Sequence, residues 1–162
     1  MAKYHIKRKD KELTDRDEIF ATIKRGKFTS LALCRDNEPY IVTMNYGYDE
    51  RLNAMFFHCA LEGQKLDFIE NNPEVCGTVI EDLGYGHGEC EHYYRTVVFR
   101  GQLYRVDTLE EKKHGIGVMI EHLEEHPEET KARLLKDDKT YERMHILRLD
   151  ITDITGKQGL KK

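Results

Sequence analysis

The strongest constraint in this sequence is the close spacing of its strand-like segments. Alternating or β-branched residues recur at 28–35, 40–49, 54–60, 74–81, 94–107 and 144–154, and several of the connections are short turns. Parallel strands need long crossovers, whereas short connections permit antiparallel pairing. Helical segments are inserted among the strands rather than alternating with each of them. The chain is therefore predicted to be mainly β, a small antiparallel barrel of six or more strands with peripheral helices.

Details of this barrel follow from local residue types. The three strands within 28–60 are joined by short turns and are expected to form an antiparallel meander. Residues 81–93 contain three glycines and are expected to form a loop. Gly101, in the middle of a long strand, predicts a bulge or bend. All 162 residues are assigned to one domain, with a loose arm at 1–13 and a polar tail at 156–162.

The helices are predicted from their end signals. Thr14 is the expected N-cap of the first helix, and Gly26 can end it. A short amphipathic helix follows Gly63 and is terminated by Pro73. Thr108 begins a further helix with the spacing of a capping box, and Pro127 starts another helical turn.

Charge and composition exclude several classes of protein. The formal net charge of −4 argues against general nucleic-acid binding. No apolar run approaches the roughly 20 residues that cross a bilayer, and the basic N-terminus has no apolar segment after it, as a secretory signal would. We therefore expect a cytoplasmic protein whose four cysteines are reduced thiols. No two of these cysteines form a CxxC pair.

The segment "HCALEGQKL" has the outline of a phosphate site. A strand ends at His58, and Gly63 and Lys65 stand at the start of the following helix. Helix starts carry free N–H groups, glycine permits close approach, and lysine adds a positive charge. An ordinary glycine-containing turn with a surface lysine has the same pattern, so this segment alone leaves both interpretations open.

Two other segments carry polar residues whose role has more than one interpretation. Thr43 and Asn45 in "PYIVTMNYGYD" could hydrogen-bond a flat heteroaromatic ring, or simply face water. His87, Cys90 and His92 have side-chain types that suit zinc or a soft transition metal. They lack a second ligand pair, and glycine-rich loops collect polar residues in any case, so no metal is predicted.

Three segments together resemble a known family. "PYIVTMNYGYD", "MFFHCALEGQKLDFIENNPEVCGTV" and "YYRTVVFRGQL" follow in the order and spacing of the nitroimidazole-resistance (Nim-type) proteins. These are a group within the pyridoxamine 5′-phosphate oxidase-like flavin-binding proteins. The resemblance extends from about residue 14 to "DITGKQ" and implies a split β-barrel that binds FMN and forms a homodimer, with its two FMN sites between subunits.

The resemblance also implies which residues contact the cofactor. Gln64 and Lys65 would hold the FMN phosphate, with Gly63 allowing its approach, and His58 is the candidate for a role in catalysis. The chain departs from the family at Thr43, where proline is frequent, and at Thr96, where serine is frequent. The full set of implied cofactor contacts is Val42, Thr43, Met44, Asn45, His58, Cys59, Ala60, Gly63, Gln64, Lys65, Thr96 and Val97.

The function implied is that of an FMN-dependent oxidoreductase of the nitroimidazole-reductase type, acting on a small electron-poor substrate. A nicotinamide-derived reductant fits as electron donor. Two alternatives stay open: a flavin or haem carrier or sensor without turnover, and a pyridoxamine 5′-phosphate oxidase. The latter ranks lower because the chain ends in "GKQGLKK" and lacks the arginine-rich ending of that enzyme.

Overall fold

The computed structural model describes residues 6–161, so the first residues of the predicted arm and Lys162 lie outside the described residues. Within that range the chain forms eight strands, all paired antiparallel. The strands are β1 (Glu12–Leu13), β2 (Phe28–Arg35), β3 (Glu38–Asn45), β4 (Gly47–Asp49), β5 (Ala54–Cys59), β6 (Glu74–Gly86), β7 (Glu91–Arg105) and β8 (His145–Gly159). The helices are α1 (Arg16–Arg25), α2 (Gln64–Asn71), α3 (Leu109–Leu123) and α4 (Pro127–Leu134), with 3-10 turns at Lys9–Lys11 and Asp138–Glu142.

The order of strands in the sheet closes it into a split barrel. The order is β3-β2-β6-β7-β8-β5-β4, with β1 added to β8. Only Tyr46 separates β3 from β4, although these strands occupy opposite ends of the order. The sheet must therefore curl until its two ends meet. This confirms the predicted antiparallel barrel with peripheral helices.

The predicted meander of three strands is wrong. β2 and β3 do form a hairpin, through a two-residue turn in which Asp36 and Asn37 both have positive φ, as type I′ turns require. However, the segment 40–49 breaks at Tyr46 instead of forming one strand. The Tyr46 side chain is fully buried and its hydroxyl donates to the carbonyl of Ile23 at 2.5 Å. The chain leaves β3 at this point and continues at the other end of the sheet.

Three further expectations are corrected by the structure. Residues 81–93 are a hairpin rather than a loop, because β6 continues to Gly86 through an irregularity between Asp82 and Tyr85. Residues 156–159 are the end of β8 rather than tail, and they pair with β7. The N-cap of α1 is Asp15 rather than Thr14, since the Asp15 carboxylate accepts the N–H groups of the first turn.

Other local predictions are confirmed. The register of β7 against β8 shifts between Arg100 and Gly101, as expected of a bulge. A Cβ on Gly101 would lie 2.0 Å from the carbonyl oxygen of Asp150, so only glycine fits there. α2 ends at Asn71, two residues before Pro73, and α4 begins at Pro127. Thr108 caps α3 by accepting the N–H of Glu111.

The sheet has apolar side chains on both faces, and β5 contributes to both cores. Phe57 and Met55 point into the barrel, while Phe56 and Ala54 pack beneath α3. α3 packs closely on β5 because Gly115 has no side chain. A Cβ at that position would lie only 2.7 Å from the Phe56 ring. No helix within residues 6–161 combines the length and apolarity needed to cross a bilayer.

Candidate flavin-binding groove

Two strand edges lack partners at the ends of the sheet, where the barrel is split. β3 pairs with β2 alone, and Phe57, His58 and Cys59 of β5 pair with β8 alone among the described strands. β4 covers the other edge of β5 only as far as Phe56. Edges of this kind present N–H and C=O groups that have no partner in the sheet. They border the split between the two ends of the sheet, here called the groove, and can hydrogen-bond the rim of a ligand placed there.

Side chains of β3 point to opposite faces of the sheet. Val42 and Met44 are half-buried and pack against the barrel core. Thr43 and Asn45 are exposed on the outer face, where the Thr43 hydroxyl lies 2.9 Å from that of Ser30. Thr43 and Asn45 can therefore contact a ligand through side chains on the outer face, whereas Val42 and Met44 offer backbone groups.

The end of β5 combines an exposed histidine with positive potential. His58 is the exposed position of β5, and Ala60 after it is also exposed. Burial raises the pKa of the Cys59 thiol, and the nearby Lys65 ammonium offsets part of that rise. Burial, followed by the charges of Arg105 and Lys112, lowers the pKa of His145, which pairs with Cys59.

The start of α2 supplies donors for an anion. Gly63 has φ 150° and ψ 152°, a conformation essentially restricted to glycine. As N-cap it has no side chain to accept the N–H groups of the first turn. The Leu66 N–H bonds the Gly63 carbonyl at 2.9 Å, so the N–H groups of Gln64 and Lys65 are the ones left for a ligand. A Cβ placed on Gly63 would lie 3.7 Å from Nζ of Lys65. Among residues 6–161 this ammonium has no carboxylate within ion-pair distance.

Arg105 is a cation near this helix start that sequence reasoning missed. It lines a shallow cavity of about 480 Å³ together with Gly63 and Gln64. Its guanidinium lies 3.4 Å from Asp107 and 4.0 Å from Glu70, so its charge is partly neutralised. Nothing in the local sequence distinguishes Arg105 from the other arginines. Its position near the start of α2 results from the pairing of β7 with β8, which is distant in sequence.

Thr96 and Val97 are not brought to this groove within one chain. Both lie in β7, and β2 and β6 stand between β7 and β3. At about 4.8 Å per strand, Thr96 is roughly 14 Å from β3 across the sheet. Val97 is completely buried in the barrel core, while Thr96 is half-buried opposite Ile80.

The three residues weighed as metal ligands lie near the turn of the β6–β7 hairpin. His92 Nε2 lies 2.8 Å from Asp82 Oδ1, and His87 contacts the ring of Tyr85. Cys90 is exposed with φ 52° in the turn. Within residues 6–161, no three His, Cys, Asp or Glu side chains are arranged to hold a metal ion. All four cysteines of the chain are free, as expected.

Comparison with known proteins gives the family and the fold. The family model for pyridoxamine 5′-phosphate oxidase matches residues 15–158. An uncharacterised Rhizobium meliloti protein, RA0666, is 33% identical over 66 residues, which is 41% of this chain and 42% of that protein. The chain thus matches less than half the length of that curated relative.

Two solved structures share the fold across most of the chain. A candidate 5-nitroimidazole antibiotic resistance protein from Bacteroides thetaiotaomicron superimposes with a TM-score of 0.75 at 21% identity, covering 91% of this chain and 86% of that one. The FAD- and haem-binding protein from Mycobacterium smegmatis gives a TM-score of 0.78 at 15% identity, covering 93% and 74%. The match of the family model over nearly the whole sequence is decisive: this chain belongs to the pyridoxamine 5′-phosphate oxidase family.

Proposed function

We propose that the protein is an FMN-binding oxidoreductase of the nitroimidazole-reductase type, acting on a small electron-poor substrate. The observation that carries this proposal is the uncapped start of α2, which follows the open end of β5. Gly63 is its N-cap, and the Lys65 ammonium has no carboxylate within ion-pair distance among residues 6–161. Family membership supports it, as do structural neighbours named for flavin binding and for nitroimidazole resistance.

The residues present fit a flavin mononucleotide. First-turn N–H groups at Gln64 and the Lys65 ammonium would hold the phosphate, because backbone donors and a cation are what a phosphate dianion needs. Backbone groups of Val42–Asn45 and His58–Ala60 would meet the polar rim of the ring. FMN is favoured over FAD because the groove has one such phosphate cradle and the sequence has no GxGxxG fingerprint.

Bound FMN would supply the electron transfer, while the protein orients the reactants and controls access. His58 is exposed at the groove, and its ring has no hydrogen bond recorded among residues 6–161. Its two nitrogens are therefore free to hold a polar group of a substrate. Val42, Met44 and Cys59 form an apolar backing behind the strand edges, which keeps water from one side of the groove.

The groove would be completed by a second copy of the chain. Thr96 lies too far from β3 to meet the same ligand within one subunit, whereas a partner could place its own Thr96 over the groove. Phe28, Ile41 and Ile80 are each more than 60% exposed on the outer face of β2, β3 and β6. Three large apolar side chains on one sheet face favour burial against a partner. We therefore propose a homodimer with shared sites.

The cofactor test uses the purified protein. We expect flavin absorbance bands after reconstitution with FMN, and release of FMN on heating, identified by chromatography. Recovery of FAD would contradict the choice of cofactor, and a Soret band without flavin would favour the haem-binding alternative. If the protein binds neither flavin nor haem after reconstitution, the proposal is wrong.

A matched pair of variants tests the phosphate site. Lys65→Gln should weaken FMN binding about ten- to a hundredfold, since a charge-assisted hydrogen bond contributes about 1.5–3 kcal/mol. Lys139→Gln, an exposed lysine in the 3-10 turn Asp138–Glu142, should leave FMN affinity unchanged. Fluorescence titration measures both. Equal affinities in the two variants would mean that Lys65 is only a solvated surface residue.

A further inference from the structure

We propose that a second small-molecule site, for an organic carboxylate, lies between α3 and the turn that follows β4. Asp49, Arg51 and His114 line one cavity of about 580 Å³ there, within the size range of small-molecule pockets. Asp49 pairs with Ala54 at the start of β5, whereas His58 lies near the end of that strand. The cavity is thus separate from the flavin groove, and the proposal does not depend on flavin binding.

A buried carboxylate orients the histidine of this cavity. The Asp49 side chain is only 6% exposed, and its Oδ1 accepts the N–H groups of Arg51 and Leu52 at 2.9 and 3.1 Å. Its Oδ2 lies 2.8 Å from Nε2 of His114. Burial alone would raise the pKa of Asp49, but the N–H of Leu52, the imidazole and the N–H of Arg51 outweigh burial and lower it.

The ionised carboxylate fixes which nitrogen of His114 faces a ligand. A carboxylate without a proton only accepts hydrogen bonds, so Nε2 must carry the hydrogen and donate it to Asp49. Nδ1 is then left for the cavity, and no other hydrogen bond to this ring is recorded in the described chain. The His114 side chain is 40% exposed, which leaves that edge accessible.

The charges around the cavity leave one cation available. Lys24 pairs with Glu50 at 2.7 Å, and Lys113 pairs with Asp138 at 2.7 Å. Arg51 is exposed and has no carboxylate partner recorded within residues 6–161. A guanidinium prefers carboxylate or phosphate and can bind either through two parallel hydrogen bonds. Asp49 also has no Lys or Arg partner within residues 6–161, but its side chain is buried and hydrogen-bonded. The exposed Arg51 guanidinium is therefore the charge that an anion can approach.

An apolar wall favours a carboxylate with a flat organic body over inorganic phosphate. The ring of Tyr48 and the side chain of Val118 line the same cavity, and Gly117 leaves the α3 wall open between them. A Cβ on Gly117 would meet no atom within 4 Å. A planar group can lie against this wall while its carboxylate reaches Arg51. Nδ1 of His114 donates to the same carboxylate when that nitrogen also carries a hydrogen, because an unprotonated Nδ1 only accepts.

The test is a titration of the purified protein with benzoate, followed by imidazole ¹H–¹⁵N NMR. The His114→Gln variant assigns the His114 signal. We expect a saturable shift of that signal, weakened about tenfold or more in Arg51→Gln, because a charged hydrogen-bond partner is lost. Gly117→Leu should abolish the shift by filling the cavity. His87→Gln, in the β6–β7 turn, is the control and should bind benzoate normally.

Several outcomes would overturn the proposal. These are the absence of a saturable shift up to tens of millimolar benzoate, a shift confined to His58, and equal binding in Arg51→Gln. Competition by inorganic phosphate at equal strength would also overturn it, since phosphate has no apolar body. Thermal melting of Gly117→Leu shows whether its loss of binding reflects the cavity or misfolding, and Arg51→Gln tests the site independently.

Discussion

At the scale of single residues, the proposed phosphate site depends most on the backbone of Gly63. Its φ of 150° with ψ of 152° lies where a Cβ is strongly disfavoured. Gly117 has no such restriction, since it lies within α3 and its Cβ position is open. The two glycines should therefore respond in opposite directions to the same substitution.

Gly63→Ala should lower the free energy of unfolding by about 1–3 kcal/mol, the cost of holding alanine in that region. Gly117→Ala should raise it by about 0.5–1 kcal/mol, because alanine loses less conformational freedom in a helix interior. Urea unfolding of the cofactor-free protein measures both. A Gly63→Ala variant as stable as the parent would show that the start of α2 relaxes to an ordinary conformation.

Residue identities at the site could be predicted only in part. Gly63 and Lys65 at a helix start have the outline of a phosphate site, but only the family resemblance favours that interpretation over an ordinary turn. Alternation shows that Val42 and Thr43 face opposite ways but not which one faces the core. Arg105 could not be predicted, since its position depends on strand pairing far away in sequence.

At the scale of elements, a network of four charges holds α1 against the sheet. Arg25 of α1 bonds Glu81 of β6 at 2.7 Å and Glu18 at 2.6 Å. Arg95 of β7 lies 3.2 Å from both carboxylates. The hydrogen bond from Arg25, with a second from Arg95, lowers the pKa of Glu81 below 4.5 despite partial burial. The network should therefore contribute stability that depends on pH.

Because the pKa of Glu81 is lower in the folded state than in the unfolded state, its ionised carboxylate stabilises the fold above about pH 4.5. That contribution is lost as the pH falls through the folded-state pKa. Glu81→Gln should cost about 1–2 kcal/mol of unfolding free energy at pH 7, and the difference should shrink below pH 4.5. Glu50→Gln, which breaks the exposed pair with Lys24, should cost less than about 0.5 kcal/mol. Urea unfolding at several pH values checks both; a Glu81 effect independent of pH would contradict the network.

Elements fixed by neighbouring residues were predictable, and those fixed by distant contacts were not. The β2–β3 hairpin follows from Asp36 and Asn37, whose positive φ is a local property. The break at Tyr46 depends on its bond to α1, and tyrosine is otherwise a good strand residue. Glycines around Gly84 indicated a loop, but they permit the irregular pairing of a hairpin. Residues 156–159 are polar or small, yet β7 and β1 pair with them.

At the scale of the whole molecule, one outer sheet face is unusually apolar. Phe28, Ile41 and Ile80 are 61%, 69% and 61% exposed, and the strand register places them on the same side. Ser30 and Thr43 lie between them with their hydroxyls 2.9 Å apart. This mixture of large apolar groups and paired hydroxyls is suited to a subunit interface.

Ile41→Glu should convert the proposed dimer to monomer, because a symmetric interface would bury the new carboxylate twice. Leu134→Glu, on α4 and 52% exposed, is the matched control and should leave the dimer intact. FMN should raise the melting temperature of the dimer by mass action, and less so for the Ile41 variant. Sedimentation and thermal scans test this; a parent chain that is monomeric with FMN bound would refute shared sites.

The position of β8 in the sheet determines when the chain can fold during translation. β8 pairs with β1, β5 and β7, and all three leave the ribosome before it does. Until β8 emerges, β5 and β7 lack their shared neighbour and the nascent chain carries apolar strands with open edges. Such intermediates are prone to aggregation. The complete sheet therefore cannot form until β8 has been synthesised.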